Sequence, residues 1–266
     1  MVPDARLLKW AGTGVTSIRL DNPRATLNLG AFVIRPQASQ ACFDYESFCR
    51  AAALAVRFLD DAWLVYGGKP CTAAICVGVM GFADALGALG WSYVSERACE
   101  FASMLGKALS AECLQSSLRL MQERGVCQLA STTNDCTAVR GTCRGPGSLL
   151  QHPRTTAIHS QHLIARFANN ASDALDPLLE SAWDLTSRWE LPAQAYPVDM
   201  EQMLIQQIRI RDRFQPCIDA PIDYPLVYSG SPLDPEIVLA CTRFAREHHL
   251  PEPQFRRSEQ AILSSV

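Results

Sequence analysis

The chain has 266 residues, with 24 Lys and Arg against 27 Asp and Glu and 48% hydrophobic residues, enough to bury a full core in one large domain or two small ones. A net charge of −3 with 19% charged residues leaves no broad cationic footprint, which argues against a nucleic-acid partner. The longest uncharged stretch, Pro70 to Ala83, is too short and Gly-rich for a membrane span, and Asp4, Arg6 and Lys9 stand where a signal peptide would be apolar; the expectation is a soluble cytoplasmic protein.

Along the chain, Val15 to Leu20 and Leu27 to Arg35 read as β-prone runs on either side of the turn residues Asp21-Asn22-Pro23. From Phe43 the period changes. Asp44 caps a predicted helix with Phe48, Ala51, Ala52, Ala55, Phe58, Leu59 and Trp63 on its apolar face, stopped by Gly67-Gly68 and Pro70. The Gly-punctuated stretch from Ile75 to Gly90 implies close backbone packing. Ser95 opens a long helix whose inner side carries Phe101, Met104, Leu105, Ala108, Leu109, Leu114, Leu118 and Met121, with Gly125 as its stop. Residues 126–153 form an expected long, divergent loop. A short apolar stretch returns at Leu163 to Phe167, and Ala174 to Trp189 is expected to be helical. Asp199 opens a helix through Met203, Leu204, Gln207, Ile208 and Phe214, and Asp234-Pro235 starts a last one bearing Ile237, Val238, Cys241, Phe244 and Ala245. Short β-prone runs alternating with amphipathic helices give the class α/β.

The 11 cysteines are odd in number and none is spaced C-x-x-C, so most are expected to be buried, inert thiols and not a disulfide framework. Cys127, Cys136 and Cys143 match no common zinc spacing. His152, His159 and His162 have no carboxylate in their own segment and read as a hydrogen-bonded or solvated cluster, so no metal is expected. His248-His249 are expected to meet the C-terminal carbonyls of the last helix.

Three strings, Asn28-Leu29-Gly30-Ala31-Phe32-Val33, Ala55-Val56-Arg57-Phe58-Leu59-Asp60-Asp61 and Gly78-Val79-Met80-Gly81-Phe82-Ala83-Asp84-Ala85-Leu86, resemble in order and interval the large catalytic subunits of ribonucleotide reductases. Asn169 to Pro177 is similar to the family segment behind its phosphate loop, and Tyr196 to Ala245 to its closing helix, strand and helix. The resemblance implies the C-terminal half of a ten-stranded α/β barrel across residues 1–266, with the N-terminal half supplied by another polypeptide or replaced by self-association. It also implies the family activity, reduction of ribonucleotides to deoxyribonucleotides for DNA replication, and leans toward the adenosylcobalamin-dependent branch.

The family's finger loop carries a radical cysteine and a glutamate, because a thiol forms the radical and a carboxylate moves the proton. Counting back from Asn28 puts Val15 and Ser17 at those places, and Leu27 at the place of a reducing cysteine. Neither valine nor leucine carries a thiol, so the resemblance assigns this chain no catalytic residue and the chain alone is expected to be inactive. The phosphate turn falls on Ser160, Gln161 and His162, where one hydroxyl and backbone donors remain for an anion. Three readings stay open: a component of a divergent or split reductase, a non-catalytic nucleotide- or subunit-binding protein, and a truncated remnant.

Overall fold

The computed structural model describes residues 23–36, 40–66, 75–124, 152, 154–179 and 199–258. Its centre is a parallel layer. Strand β1 (Arg24–Asn28) pairs with β4 (Cys76–Met80) in the register Arg24↔Cys76 to Asn28↔Met80. On the other side of β4, Val77 N–H donates to the Thr155 carbonyl at 2.9 Å and Ala157 N–H to the Val77 carbonyl at 3.1 Å, so residues 155–157 add a third parallel line. All five residues of β4 are buried, as expected of a middle strand covered on both faces.

The run expected from Leu27 to Arg35 is broken. Asn28 ends β1 and its side chain accepts from Gly30 N–H at 3.1 Å, which winds Leu29–Phe32 into a 3-10 turn before the two-residue strand β2 (Val33–Ile34) pairs antiparallel with β3 (Cys42–Phe43). The run from Val15 to Leu20 lies outside the described residues.

Helix α1 (Tyr45–Val65) connects β1 to β4. Asp44 caps it as expected, accepting from Ser47 N–H at 2.9 Å. Its buried face is Phe48, Ala52, Ala55, Val56, Leu59 and Asp60, whereas Phe58 is turned outward. Helix α2 (Phe82–Leu89) follows β4 through Gly81, whose φ of +73° suits glycine. Helix α3 (Glu96–Arg124) starts where Ser95 predicts it, the serine hydroxyl accepting from Ala98 N–H at 3.2 Å. Its inner face runs through Phe101, Leu105, Leu109, Cys113, Ser117 and Leu120, not through Met104, which is exposed, or Leu114, Leu118 and Met121. The small residue Gly106 takes the close approach to Phe214 and Cys217 that a larger side chain would block.

After the third line come α4 (His162–Phe167), α5 (Met200–Phe214), β5 (Leu226–Tyr228), α6 (Pro235–Glu247) and β6 (Phe255–Arg257), the last strand parallel to β5. Asp199 and Asp234 cap α5 and α6 as the sequence implies. The helix expected from Ala174 is absent at residues 174–179, which form a turn and an irregular stretch; the remainder of that expected helix lies outside the described residues. Two tyrosines explain the difference. The Leu175 amide donates to Tyr224 Oη at 3.1 Å and Tyr93 O–H donates to the Leu175 carbonyl at 2.7 Å, so tertiary contacts satisfy backbone groups that a helix would have paired internally. His248 also departs from expectation: its Nδ1 meets Asp212 of α5 at 3.0 Å in place of carbonyls of its own helix.

The alternation of strand and helix around a parallel layer is α/β. The main core joins α1, α2, α3 and α5 to that layer, and Phe82 sits among Tyr93, Phe101 and Phe214 with ring centroids 5.8–6.2 Å away. Among the described residues no helix is long and apolar enough to cross a membrane.

Candidate functional site

In parallel sheets the loops beyond the carboxyl ends of the strands converge, and ligands bind there. Here those ends are Asn28, Met80-Gly81 and the turn after Ile158. The segment from Ala171 to Asp176 ties them together. Gly81 N–H donates to the Ser172 carbonyl at 2.8 Å, Ala83 N–H to Ser172 Oγ at 3.2 Å, and Ser172 N–H to Asp84 Oδ2 at 2.6 Å. A Cβ at position 81 would run into Asn28 Oδ1, so glycine is needed for space as well as for its positive φ.

The three residues of the expected phosphate turn stand at this end of the layer. Ser160 Oγ donates to Asp173 Oδ2 at 2.5 Å and Gln161 N–H to Asp173 Oδ1 at 2.6 Å, while His162 begins α4 and is exposed. Two donors available to an anion therefore already hold an internal carboxylate. Leu27, at the expected reducing-cysteine position, is buried in β1 as part of the main core. Val15 and Ser17 lie outside the described residues.

The sequence alone marks no role for the charges behind the turn. Arg256 of β6 donates to Asp176 Oδ2 at 3.2 Å and stands 3.8 Å from Asp173 Oδ2. Arg211 of α5 lies 3.8 Å from Asp176 Oδ1, donates to the Tyr224 and Pro225 carbonyls, and stacks over the Tyr224 ring at 4.0 Å. Asp173 and Asp176 belong to a recognisable string, but their arginines are 35 or more positions later in the chain, where no local periodicity marks them. Ala174, between the two acids, is held at φ +46°, a conformation that suits glycine better.

Burial pushes Asp176 up to about 7, against the pull of Arg211 and Arg256. Its folded value lies above the unfolded one, near 3.8, so the folded state retains a proton that the unfolded state has lost between these values. This group's contribution therefore falls as pH rises from about 4 to about 7. Asp176→Asn is expected to remove that slope, and the difference in urea midpoint between wild type and variant, measured at pH 5 and pH 8, reads it directly. An unchanged difference at the two pH values would contradict the assignment.

Of the three histidines read as one hydrogen-bonded or solvated cluster, His152 is buried, His159 half-buried and His162 exposed, so they do not share one environment. Among the described residues no group of three His, Cys, Asp or Glu side chains is placed to hold a metal ion. Seven described cysteines are free thiols; Cys76, Cys99, Cys113 and Cys241 are buried. Burial pushes the thiols of Cys49, Cys76, Cys99 and Cys217 up, and that of Cys241 to about 11, which keeps them protonated and poorly nucleophilic. Cys127, Cys136 and Cys143 lie outside the described residues.

Comparison with known proteins agrees with this architecture. Residues 23–143 match the family described as ribonucleotide reductase, barrel domain. The vitamin B12-dependent ribonucleoside-diphosphate reductase of Mycobacterium tuberculosis (strain ATCC 25618 / H37Rv) is 33% identical over 111 residues, which is 39% of this chain and 16% of that protein. The ribonucleoside-diphosphate reductase subunit alpha of Chlamydia trachomatis serovar D is 35% identical over 109 residues, 38% of this chain and 10% of that protein. Among solved structures, the class Id ribonucleotide reductase alpha subunit of Actinobacillus ureae superposes with a TM-score of 0.59 at 15% identity, covering 92% of this chain and 52% of that one. The chain thus spans about half of that structure, and its aligned part is a small fraction of the two reductase sequences. With the parallel layer, the Gly81 turn and the matched segment in agreement, the chain is ribonucleotide reductase-like, and its residues 23–143 are similar to the barrel domain of that family.

Proposed function

We propose that this chain supplies the C-terminal half of a reductase barrel and receives the phosphate end of a ribonucleotide where β1, β4 and residues 155–157 terminate, without carrying the radical chemistry itself. The observation supporting it is the convergence of Gly81, Ser160 and Gln161 at one end of a parallel layer inside a reductase fold. Ser160 and Gln161 are the proposed phosphate donors, with His162 beside them; an incoming phosphate takes over the bonds now made to Asp173, and Arg256, 3.8 Å from that carboxylate, receives it. Val15, Ser17 and Leu27 supply neither the thiol nor the carboxylate of the family's reaction.

Adenosylcobalamin enters through the B12-dependent relative. When bound, that cofactor starts radical chemistry that ends on a cysteine. The residues at the corresponding positions do not fit such an acceptor, since Val15 at the radical-cysteine position and Leu27, an apolar core residue, at the reducing-cysteine position have no S–H to give up, so no step here runs through it. The proposal therefore needs a companion polypeptide, or a second copy of the chain, for the rest of the barrel, and sets the protein in the cytoplasm with other soluble reductases.

Equilibrium titration of the purified chain with ribonucleoside diphosphates is expected to show saturable binding that Ser160→Ala weakens by about tenfold or more, on the scale of one charge-assisted hydrogen bond. No deoxynucleotide is expected from the isolated chain, with or without adenosylcobalamin and a dithiol. Absence of ribonucleotide binding, or deoxynucleotide formation abolished by a substitution in this chain, would overturn the proposal.

A further inference from the structure

Among the described residues two acidic side chains are buried, Asp60 and Asp176, and they differ in how their oxygens are used. Asp60 has a partner on each: His152 Nε2 meets Oδ1 at 3.0 Å and Arg124 binds Oδ2. Asp176 has a hydrogen bond on one only. Arg256 donates to its Oδ2 at 3.2 Å, while Oδ1 is buried without a hydrogen-bond partner among the described residues and the Arg211 guanidinium stands 3.8 Å from it. Arg211 is engaged elsewhere, donating to the Tyr224 and Pro225 carbonyls. A buried carboxylate held in this way keeps its charge only through its counter-ions.

Arg256 also serves a second acid. The nitrogen that donates to Asp176 stands 3.8 Å from Asp173 Oδ2, and the side chain is 39% exposed, with room to shift between the two. Asp173 is itself held by Ser160 Oγ and Gln161 N–H, the proposed phosphate donors. The two acids thus compete for one cation, and whatever occupies the donors decides the outcome. When Ser160 and Gln161 turn to a phosphate, Asp173 loses two charge-assisted hydrogen bonds and draws Arg256 toward itself. Asp176 then loses its donor.

We propose that nucleotide binding is coupled to the uptake of a proton by Asp176: Arg256 passes from Asp176 to Asp173 as phosphate takes the donors, and a proton from solvent replaces the guanidinium on the buried carboxylate. This rests on the phosphate reading of Ser160 and Gln161. The proton also removes one negative charge from a site that is receiving an anion. The groups facing Asp176 are Asp173 of its own turn, Arg211 of α5, Arg256 of β6 and the buried hydroxyls of Tyr93 and Tyr224, and burial pushes both hydroxyls well above the usual tyrosine range. Asp176, raised to about 7 chiefly by burial, is the member of this set that titrates near neutrality.

Isothermal titration calorimetry of the full chain with ribonucleoside diphosphates, in two buffers of different ionisation enthalpy, counts the protons. At pH 8 the terminal phosphate of the ligand is already doubly ionised, so the ligand itself exchanges little. About half a proton or more is expected to be taken up per nucleotide bound, with Kd rising about threefold from pH 7.5 to 8.5, the scale of linkage when a buried carboxylate loses an ion pair. His162, exposed beside the donors, is a second group able to gain a proton near a phosphate. His162→Gln is therefore the control and is expected to retain the uptake, whereas Asp176→Asn removes the titrating group and Arg256→Gln removes the cation whose departure drives it, so both abolish it. Should Asp176→Asn not fold, Arg256→Gln decides alone. Binding without proton uptake, or uptake that survives Asp176→Asn or Arg256→Gln, would overturn the coupling and leave the phosphate reading in place. Absence of binding by every ribonucleoside diphosphate would overturn both.

Discussion

Phe82→Ala is expected to destabilise the protein by about 3–5 kcal/mol, the range for emptying a fully buried phenylalanine site. The ring is 0% exposed and lies where three elements meet: it stacks on Phe101 of α3 at 5.8 Å and stands edge-on to Phe214 of α5 at 6.0 Å and to Tyr93 at 6.2 Å. Neighbouring rings cannot collapse into the void without breaking their own contacts, because Phe101 also packs on Phe43 and Trp91. Phe82→Leu keeps most of the volume and is expected to cost less than half as much. Urea denaturation followed by far-ultraviolet circular dichroism distinguishes the two; equal midpoints for both variants would mean that the aromatic cluster is not the keystone of the core.

Gly78→Val is expected to cost about 3 kcal/mol or more and to weaken ribonucleotide binding as well. Gly78 lies opposite Thr26 in the middle of β4, and a Cβ there would be driven into the Ala157 carbonyl oxygen. The obstacle is the Ala157–Ile158 backbone, so relief requires residues 155–157 to move away and strains the two hydrogen bonds between Val77 and that line. Ser160 follows three residues later, so the same displacement carries the proposed phosphate donors with it. A control is Gly106→Ala, whose Cβ meets Phe214 and Cys217 at 3.2–3.3 Å between α3 and the end of α5. Affinity falling to the same degree in both variants at temperatures well below unfolding would show that stability, and not the position of the turn, is being measured.

Much of this architecture is legible because its signals are local. Asp44, Ser95, Asp199 and Asp234 each accept from an amide in the first turn of the helix they open, as short polar caps do whatever surrounds them. The Gly-punctuated stretch implies close backbone contact, and Gly78 and Gly81 supply it. What escapes a local reading depends on distant partners. Residues 174–179 include the helix formers Ala174, Leu175, Leu178 and Leu179 but also Pro177, and Tyr93 and Tyr224 engage the backbone of Leu175 and hold the chain in another course. Ser160 and Gln161 stand out as donors, but nothing local marks Asp173 as their acceptor. Asp60 is in principle visible: it falls four positions after Val56 on the buried stripe of α1, and an acid on an apolar face implies a buried partner.

The placement of Arg256 also bears on the order of events during synthesis. Asp173 and Asp176 leave the ribosome long before the strand that neutralises them, since the bond from Arg256 to Asp176 closes across 80 residues. Until β6 emerges, the loop behind the strand ends has two neighbouring carboxylates without that counter-charge. The parallel layer of β1, β4 and residues 155–157 is already available to pair, whereas the guanidinium that bridges Asp173 and Asp176 arrives only with β6. A chain that stops short of β6 therefore keeps the bonds of Ser160 and Gln161 to Asp173 but lacks the cation that joins Asp173 to Asp176.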